Sequence, residues 1–270
     1  MKKYTITIIG CGNMGTVIME RLISTGYATK RTITACDNNP ERLKEIKHSG
    51  IKVESDLGNA IAKSEIIFLA IKPQQYKSLT GQLAGKFKDN QLVISIMAGV
   101  TYNSLARHLA YTNIVRTMPN LAAKVGSSIT AWYAPEKCAK NNINTIKNLL
   151  SVIGTSMQVK NESMLDKVTA ISGSGPAYFF YTAELLEQQA RKFGFTKNEA
   201  AQLVNKTLYG AARLLENDSR SLKELRKAVT SKKGITEAAI NKLGPGFVKI
   251  WKEAINAAHQ KAKVISKKYE

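Results

Sequence analysis

The run Gly10-Cys11-Gly12-Asn13-Met14-Gly15 constrains this chain more than any other. It spaces three glycines as G-x-G-x-x-G directly after an Ile- and Thr-rich stretch, residues 4–9, and at the start of a stretch with apolar residues at helical spacing, residues 13–24. A strand that turns into a helix over such a run uses the first glycine for the tight turn. The second leaves the backbone open to an approaching pyrophosphate, and the third lets the helix pack on the strand. The helix N-terminus adds N–H groups and the positive end of its dipole. Cys11, inside the turn, reads as a small space-filler, because only the helix terminus is nearby in sequence to lower its pKa. The run predicts a dinucleotide site formed by Gly10, Cys11, Gly12, Asn13, Met14 and Gly15.

The rest of the first half repeats this strand-then-helix rhythm. Short Ile- and Val-rich runs at 4–9, 31–36, 65–71, 91–96 and 113–117 alternate with helical patterns at 13–24, 40–47, 74–83 and 102–109. Two further strands, 128–132 and 155–159, flank a helix near 139–150. Such alternation predicts a parallel sheet covered by helices on both faces. After about Lys160 strand-like runs stop and helical patterns continue. The expected class is α/β: a Rossmann-like, doubly wound, mainly parallel sheet in a dinucleotide-binding domain over 1–160, then an all-α domain over 161–270. Thr196 with Glu199 and Ser221 with Glu224 fit capping boxes, and Gly194 fits a helix C-terminal glycine. A stripe of mostly small residues, Ala200, Ala201, Leu203, Val204, Thr207, Leu208, Ala211, Ala212 and Leu215, suits close packing, either within its own domain or against another subunit.

Ligands of open α/β sheets bind beyond the carboxyl ends of the strands, so the strand ends carry the next candidates. The second strand ends in Cys36-Asp37-Asn38-Asn39, with Asp37 22 positions after Gly15. A carboxylate there accepts hydrogen bonds from the adenosine ribose hydroxyls of NAD and repels a 2′-phosphate. Arg42 nearby could instead meet such a phosphate, and Asp37 could serve only as a cap ahead of Pro40. NADH is the favoured cofactor, with NADPH left open, and Asp37 and Asn38 are the residues at issue. Ala70-Ile71-Lys72-Pro73-Gln74 ends another strand, with Lys72 biased to an extended conformation by Pro73. Ala98-Gly99 and Met118-Pro119-Asn120 end two more. Ala70, Lys72, Pro73, Ala98 and Asn120 join the cofactor candidates.

Charge and composition narrow the partners. Forty Lys and Arg against twenty Asp and Glu leave +20, which suits phosphate-bearing cofactors, carboxylate substrates or nucleic acid. The basic residues are scattered, with a dense cluster only at Lys261, Lys263, Lys267 and Lys268, and no recognition motif accompanies them; nucleic acid is not expected. Cys11, Cys36 and Cys138 are far apart, so disulfides are not expected and a reducing cytoplasm is. His48, His108 and His259 lack ligand spacing, and no metal site is expected. The longest apolar run, 66–71, is too short for a bilayer. Met1-Lys2-Lys3 and the strand after it lack a cleavage-like site for a signal peptide.

Two segments stand out in the helical half. Ser172-Gly173-Ser174-Gly175-Pro176-Ala177-Tyr178 places small residues and a proline at a helix start. Residues 225–236 break one helix and open another, so the N–H groups around Gly234, Ile235 and Thr236 make an anion site; the alternative is a helix–helix corner capped by Ser and Thr.

With these segments in order, the sequence resembles the pyrroline-5-carboxylate reductase family along nearly its whole length. The matching pieces are 10–15, 70–74, 98–101, 116–120, 172–178 and 225–231. The resemblance implies hydride transfer from a nicotinamide cofactor to the cyclic imine 1-pyrroline-5-carboxylate, giving L-proline. It also implies a helical domain that dimerises by interleaving helices, with dimers commonly assembling into decamers. By the same resemblance, backbone N–H groups from Ser231 to Thr236 hold the substrate carboxylate, and the Thr236 hydroxyl bonds the ring nitrogen. Ser231, Gly234, Ile235 and Thr236 are thus the substrate candidates, with Thr236 catalytic. An imine carbon is electrophilic, so the chemistry needs orientation more than a strong acid or base.

Two positions depart from the family. Its Pro-Gly-Gly-Thr-Thr is Lys232-Lys233-Gly234-Ile235-Thr236 here, which removes a residue at ease at positive φ and adds bulk at Ile235. Asp37-Asn38 stands where many members carry Asn-Arg or Ser-Arg. The alternatives are a related imine or β-hydroxy-acid reductase with a shifted substrate, and a non-catalytic NAD(P)-binding regulator.

Overall fold

The computed structural model describes residues 4–269, with the backbone alone at 137, 139 and 141; Met1, Lys2 and Lys3, read above for a signal peptide, lie outside the described residues. The described residues up to Ser174, together with those from Ala258 on, form one compact unit, and Gly175–Ala257 form a second.

The first unit is built on β1 (Ile6–Ile9), α1 (Asn13–Ser24), β2 (Ile33–Cys36), α2 (Pro40–His48), β3 (Lys52–Val53), α3 (Leu57–Ala62), β4 (Ile66–Leu69), α4 (Tyr76–Leu83), β5 (Leu92–Ser95), α5 (Tyr102–Leu109), β6 (Ile114–Met118), β7 (Ser128–Tyr133), α6 (Glu136–Ser151), β8 (Gly154–Gln158) and α7 (Met164–Val168). Among the described residues the strands make one eight-stranded sheet in the order β3-β2-β1-β4-β5-β6-β7-β8. The order reverses between β1 and β4, the switch point where this class of sheet opens a crevice. Every pairing is parallel except β6 with β7. Their connection, 119–127, holds only one short 3-10 helix, Leu121–Val125, too little chain for a parallel crossover.

The strands are apolar on both faces because both faces are covered. Ile6 and Ile8 join Val17, Ile18 and Leu22 of α1 and Ile146, Leu149 and Leu150 of α6 in one core. Ile9, Ile67 and Leu69 join Ala60 and Ile61 of α3, Tyr76, Leu79 and Leu83 of α4, and Leu105 and Leu109 of α5 in the other. Thr7, buried on that second side, satisfies its hydroxyl with the Ala60 carbonyl at 2.9 Å and Ser64 Oγ at 2.6 Å. The seven strands expected from sequence all form. β3 and α3 were not expected: β3 has two residues, and α3 is six residues long with Gly58 inside it, capped by Asp56 on the Asn59 N–H.

A π-helical turn, Thr169–Gly173, ends the first stretch of this unit. The second unit then holds α8 (Gly175–Lys192), α9 (Lys197–Asn217), α10 (Leu222–Ala228) and most of α11 (Ile235–Lys268). Both expected capping boxes close, Thr196 with Glu199 and Ser221 with Glu224. Gly194, at φ +100, ends α8 in a Schellman motif, its N–H on the Arg191 carbonyl and the Phe195 N–H on that of Ala190. α11 is interrupted at Gly244 (φ 24, ψ −138), next to Pro245, which cannot continue the helical ladder.

Candidate functional site

The three glycines of the first turn divide their work by stereochemistry. Gly10 has φ +93, and a Cβ there would lie 2.6 Å from the Ala70 carbonyl oxygen. A Cβ on Gly15 would lie 1.9 Å from the Gly10 carbonyl oxygen, so this glycine sets how closely α1 packs on β1. Gly12 is different: it has an ordinary φ of −70, and a Cβ would meet nothing within 4 Å. Gly12 also caps α1 without any side-chain hydrogen bond, and the first turn of α1 carries no acid. The N–H groups and the dipole are therefore open to an external anion, and the backbone at Gly12 is clear for its approach. The residues present fit a dinucleotide pyrophosphate. Asn13 is exposed here, whereas Met14 leans on the first core.

Asp37 lies at the end of β2 and reaches across to this turn. Its Oδ2 accepts the Cys11 N–H at 2.7 Å and an Arg42 guanidinium N–H at 2.9 Å, and its Oδ1 accepts the Asn39 N–H at 2.8 Å. The Asp37 side chain is 4% exposed and that of Arg42 40%. The cap of α2 is Asn39, whose side chain accepts the N–H groups of Glu41 and Arg42, so Asp37 does not serve as that cap. One lone pair of Oδ1 remains for a hydroxyl donor. Asn38 is exposed beside it. Burial, reinforced by the Asp37 charge, pushes the Cys11 thiol up to about 12, so Cys11 stays protonated and fills space.

The remaining cofactor candidates lie at the same carboxyl edge. Ala70 follows β4, gives its N–H to Ile9 and touches the positions of Gly10 and Gly15. Lys72 is extended (φ −70, ψ 143) and exposed, and Pro73 opens a 3-10 helix, Pro73–Gln75. Ala98 follows β5 and packs against the small core cluster of Met118, Ala131, Val159 and Leu165. Asn120 is buried after β6, donating its N–H to Ser128 Oγ at 3.1 Å and accepting that of Ala122. Among the described residues no group of three His, Cys, Asp or Glu side chains gathers as metal ligands.

The substrate candidates belong to the second unit, between α10 and α11. The Gly234 N–H returns to the Ser231 carbonyl at 3.0 Å, closing a tight turn. Lys233 stands in it at φ +60, in the left-handed region glycine prefers. Gly234 is crowded by Ser231: a Cβ would lie 2.2 Å from its rotatable Oγ and 3.0 Å from its carbonyl oxygen. Ile235 is 94% exposed, and Thr236 is half-buried in the first turn of α11. Glu237, which sequence reasoning missed, accepts the Lys233 N–H at 2.7 Å and pins the turn from inside the helix. Its signal was legible as an acid three residues into a helix that follows a glycine.

Comparison with known proteins decides the family. Residues 162–265 match the model for pyrroline-5-carboxylate reductase dimerisation, and residues 5–99 match the model for NADP oxidoreductase coenzyme F420-dependent. Pyrroline-5-carboxylate reductase of Pseudomonas aeruginosa is 32% identical over 97% of both chains. That of Methanosarcina acetivorans is 32% identical, covering 99% of this chain and 100% of its own. The chain belongs to the pyrroline-5-carboxylate reductase family. A solved structure from this family, that of Coxiella burnetii, superposes with a TM-score of 0.86 at 33% identity, over 98% of this chain and 99% of that one. Among the described residues no helix is long and apolar enough to cross a membrane.

Proposed function

We propose that this chain is an NAD(P)H-dependent pyrroline-5-carboxylate reductase, catalysing the last step of proline biosynthesis in the cytoplasm. The observation that carries the cofactor half of the reading is the glycine turn, where two glycines are required by backbone contact while Gly12 is sterically free at an uncapped helix terminus; the imine substrate is supported by the family match. The bound cofactor supplies the hydride that reduces the carbon–nitrogen double bond. Residues 10–15 hold its pyrophosphate, with Asp37 and Asn38 on the adenosine side and Ala70, Lys72, Pro73, Ala98 and Asn120 along the carboxyl edge. The N–H groups of Gly234, Ile235 and Thr236 hold the substrate carboxylate together with Ser231, and the Thr236 hydroxyl orients the ring nitrogen. NADH is the preferred cofactor, because the Asp37 carboxylate opposes a 2′-phosphate; NADPH is the second cofactor, served by the half-exposed Arg42.

The chain acts as a homodimer through its helical unit, with the decamer as its next level of assembly. A shortage of core in the helical unit supports the dimer. In α8 and α9 the buried residues are Gly175, Ala200 and Val204, whereas Phe179, Phe180, Tyr181, Leu186 and Tyr209 are each more than half exposed. Apolar surface on that scale is stable only when covered.

Purified protein mixed with pyrroline-5-carboxylate and NADH or NADPH tests the reading by loss of nicotinamide absorbance. Oxidation of either establishes the reductase, and Thr236→Ala is expected to lower turnover far more than cofactor affinity. Cofactor binding without oxidation would sink it and favour a shifted imine substrate, for which the bulk of Ile235 and the lysines of the loop are the motive.

A further inference from the structure

The last turns of α11 rest on the turn between β5 and α5, which carries Ala98. Gly99, at φ +76, presses against them: a Cβ would lie 2.6 Å from Ile265 Cγ2 and 3.1 Å from the Ser266 nitrogen. Ser266 is 8% exposed, and its hydroxyl donates to the Asp166 carboxylate at 2.9 and 3.1 Å. One turn further on, the Tyr269 carbonyl accepts the Ser104 hydroxyl of α5, and the Tyr269 ring meets the buried Tyr76 edge-on at 6.3 Å. The other flank of the turn is also fixed, since the Tyr102 N–H donates to Glu162, which is paired with the buried Arg116.

We propose that Ile265 and Ser266 are positioning residues for the cofactor: with Ser266 clasped by Asp166, they hold Gly99 and so place Ala98 at the carboxyl edge of the sheet. This rests on the reading of Ala98 as a cofactor contact. A backbone at positive φ pressed against a side chain has little freedom to drift, and Ala98 is its chain neighbour. Shortening Ile265 gives Gly99 room to move; removing the Ser266 hydroxyl frees the clasp. Neither residue is among the cofactor or substrate candidates, so each acts through the turn.

The test uses full-length wild type, Ile265→Ala and Ser266→Ala, with NADH and NADPH each titrated directly by nicotinamide fluorescence. Thermal melting and imine kinetics are followed in parallel. In the variants the cofactor dissociation constant is expected to rise by about two- to thirtyfold, the range for coupling through packed neighbours. The KM for the imine and kcat at saturating cofactor are expected to hold. Two separate variants guard against one failing to fold. Lowered melting with unchanged cofactor affinity in the folded variants overturns the proposal, because a merely structural role predicts that pattern. Wild type that binds neither cofactor overturns this inference and the proposed activity together. Wild type that binds cofactor but reduces no imine overturns the activity alone, and the affinity comparison still decides the role of Ile265 and Ser266.

Discussion

The Cys11 N–H donates to Asp37 Oδ2 at 2.7 Å, so the glycine turn after β1 and the end of β2 are held as one piece. Asp37 therefore both shapes the turn and sets the charge on the adenosine side. Replacing it with Asn keeps a hydrogen-bond acceptor and removes the charge, which leaves Arg42 unopposed. The ratio of kcat/KM for NADPH to that for NADH is expected to rise on the order of tenfold, about 1.4 kcal/mol. Parallel kinetics with both cofactors measure it, and an unchanged ratio would show that Asp37 acts through shape alone.

Gly12 and Gly15 separate binding from folding. Gly12→Ala adds a methyl where nothing lies within 4 Å, so the melting temperature should fall only by the small cost of an alanine N-cap while cofactor affinity falls. Gly15→Ala drives a methyl to 1.9 Å from the Gly10 carbonyl oxygen, a backbone atom that cannot yield. Its expected cost is about 1–3 kcal/mol of stability or more, together with the loss of cofactor binding. Denaturant titration of both variants checks the contrast. A Gly12→Ala destabilised as much as Gly15→Ala would contradict the division of roles among the glycines.

Much of this was legible in the residue string, for physical reasons that differ by element. Buried parallel strands such as β1 and β4 are nearly continuous Ile, Leu and Phe, and capping boxes such as Thr196 with Glu199 are local, so both can be read without the fold. The hydrogen bond from Cys11 to Asp37 spans 26 residues and depends on β1 lying beside β2, which periodicity does not report. Short elements escaped for the opposite reason: β3 has two residues and α3 is held by one Asp56 cap. The role of Asn39 as the cap of α2 was hidden by Asp37 two residues earlier, an equally good capping type.

Lys233 at φ +60 carries backbone strain that glycine would not. Lys233→Gly relieves it but adds freedom to the unfolded chain, so the expected gain is at most about 1 kcal/mol. A β-branched replacement, Lys233→Val, should destabilise, because its branched Cβ tolerates this region least. Urea midpoints for the two variants on opposite sides of wild type would confirm the strain. If Lys233→Gly also lowers the KM for the imine, the strain acts on the substrate loop as well as on stability.

The buried thiols tie stability to alkaline pH. Burial pushes Cys11 and Cys36 up to about 12 and Cys138 up to about 11, from an ordinary 9.0. Between these values the unfolded chain has lost thiol protons that the native chain still holds. The native state then binds more protons, and unfolding free energy falls as pH rises. The thiol contribution is thus fully present below pH 9 and is lost progressively as pH climbs toward 12. Burial raises Tyr27 and Tyr111 to about 12 as well, adding to the same slope. Urea midpoints at about pH 7.5, 9 and 10.5 should decline slightly over the lower interval, where the unfolded thiols reach half ionisation, and steeply over the upper. Cys138→Ala should make that decline shallower by removing one of the titrating thiols. A thiol-specific reagent at about pH 8 should find no reactive cysteine in the native protein and all three after unfolding, since only the thiolate reacts. Rapid labelling of the native chain would place at least one thiol outside the packing described here.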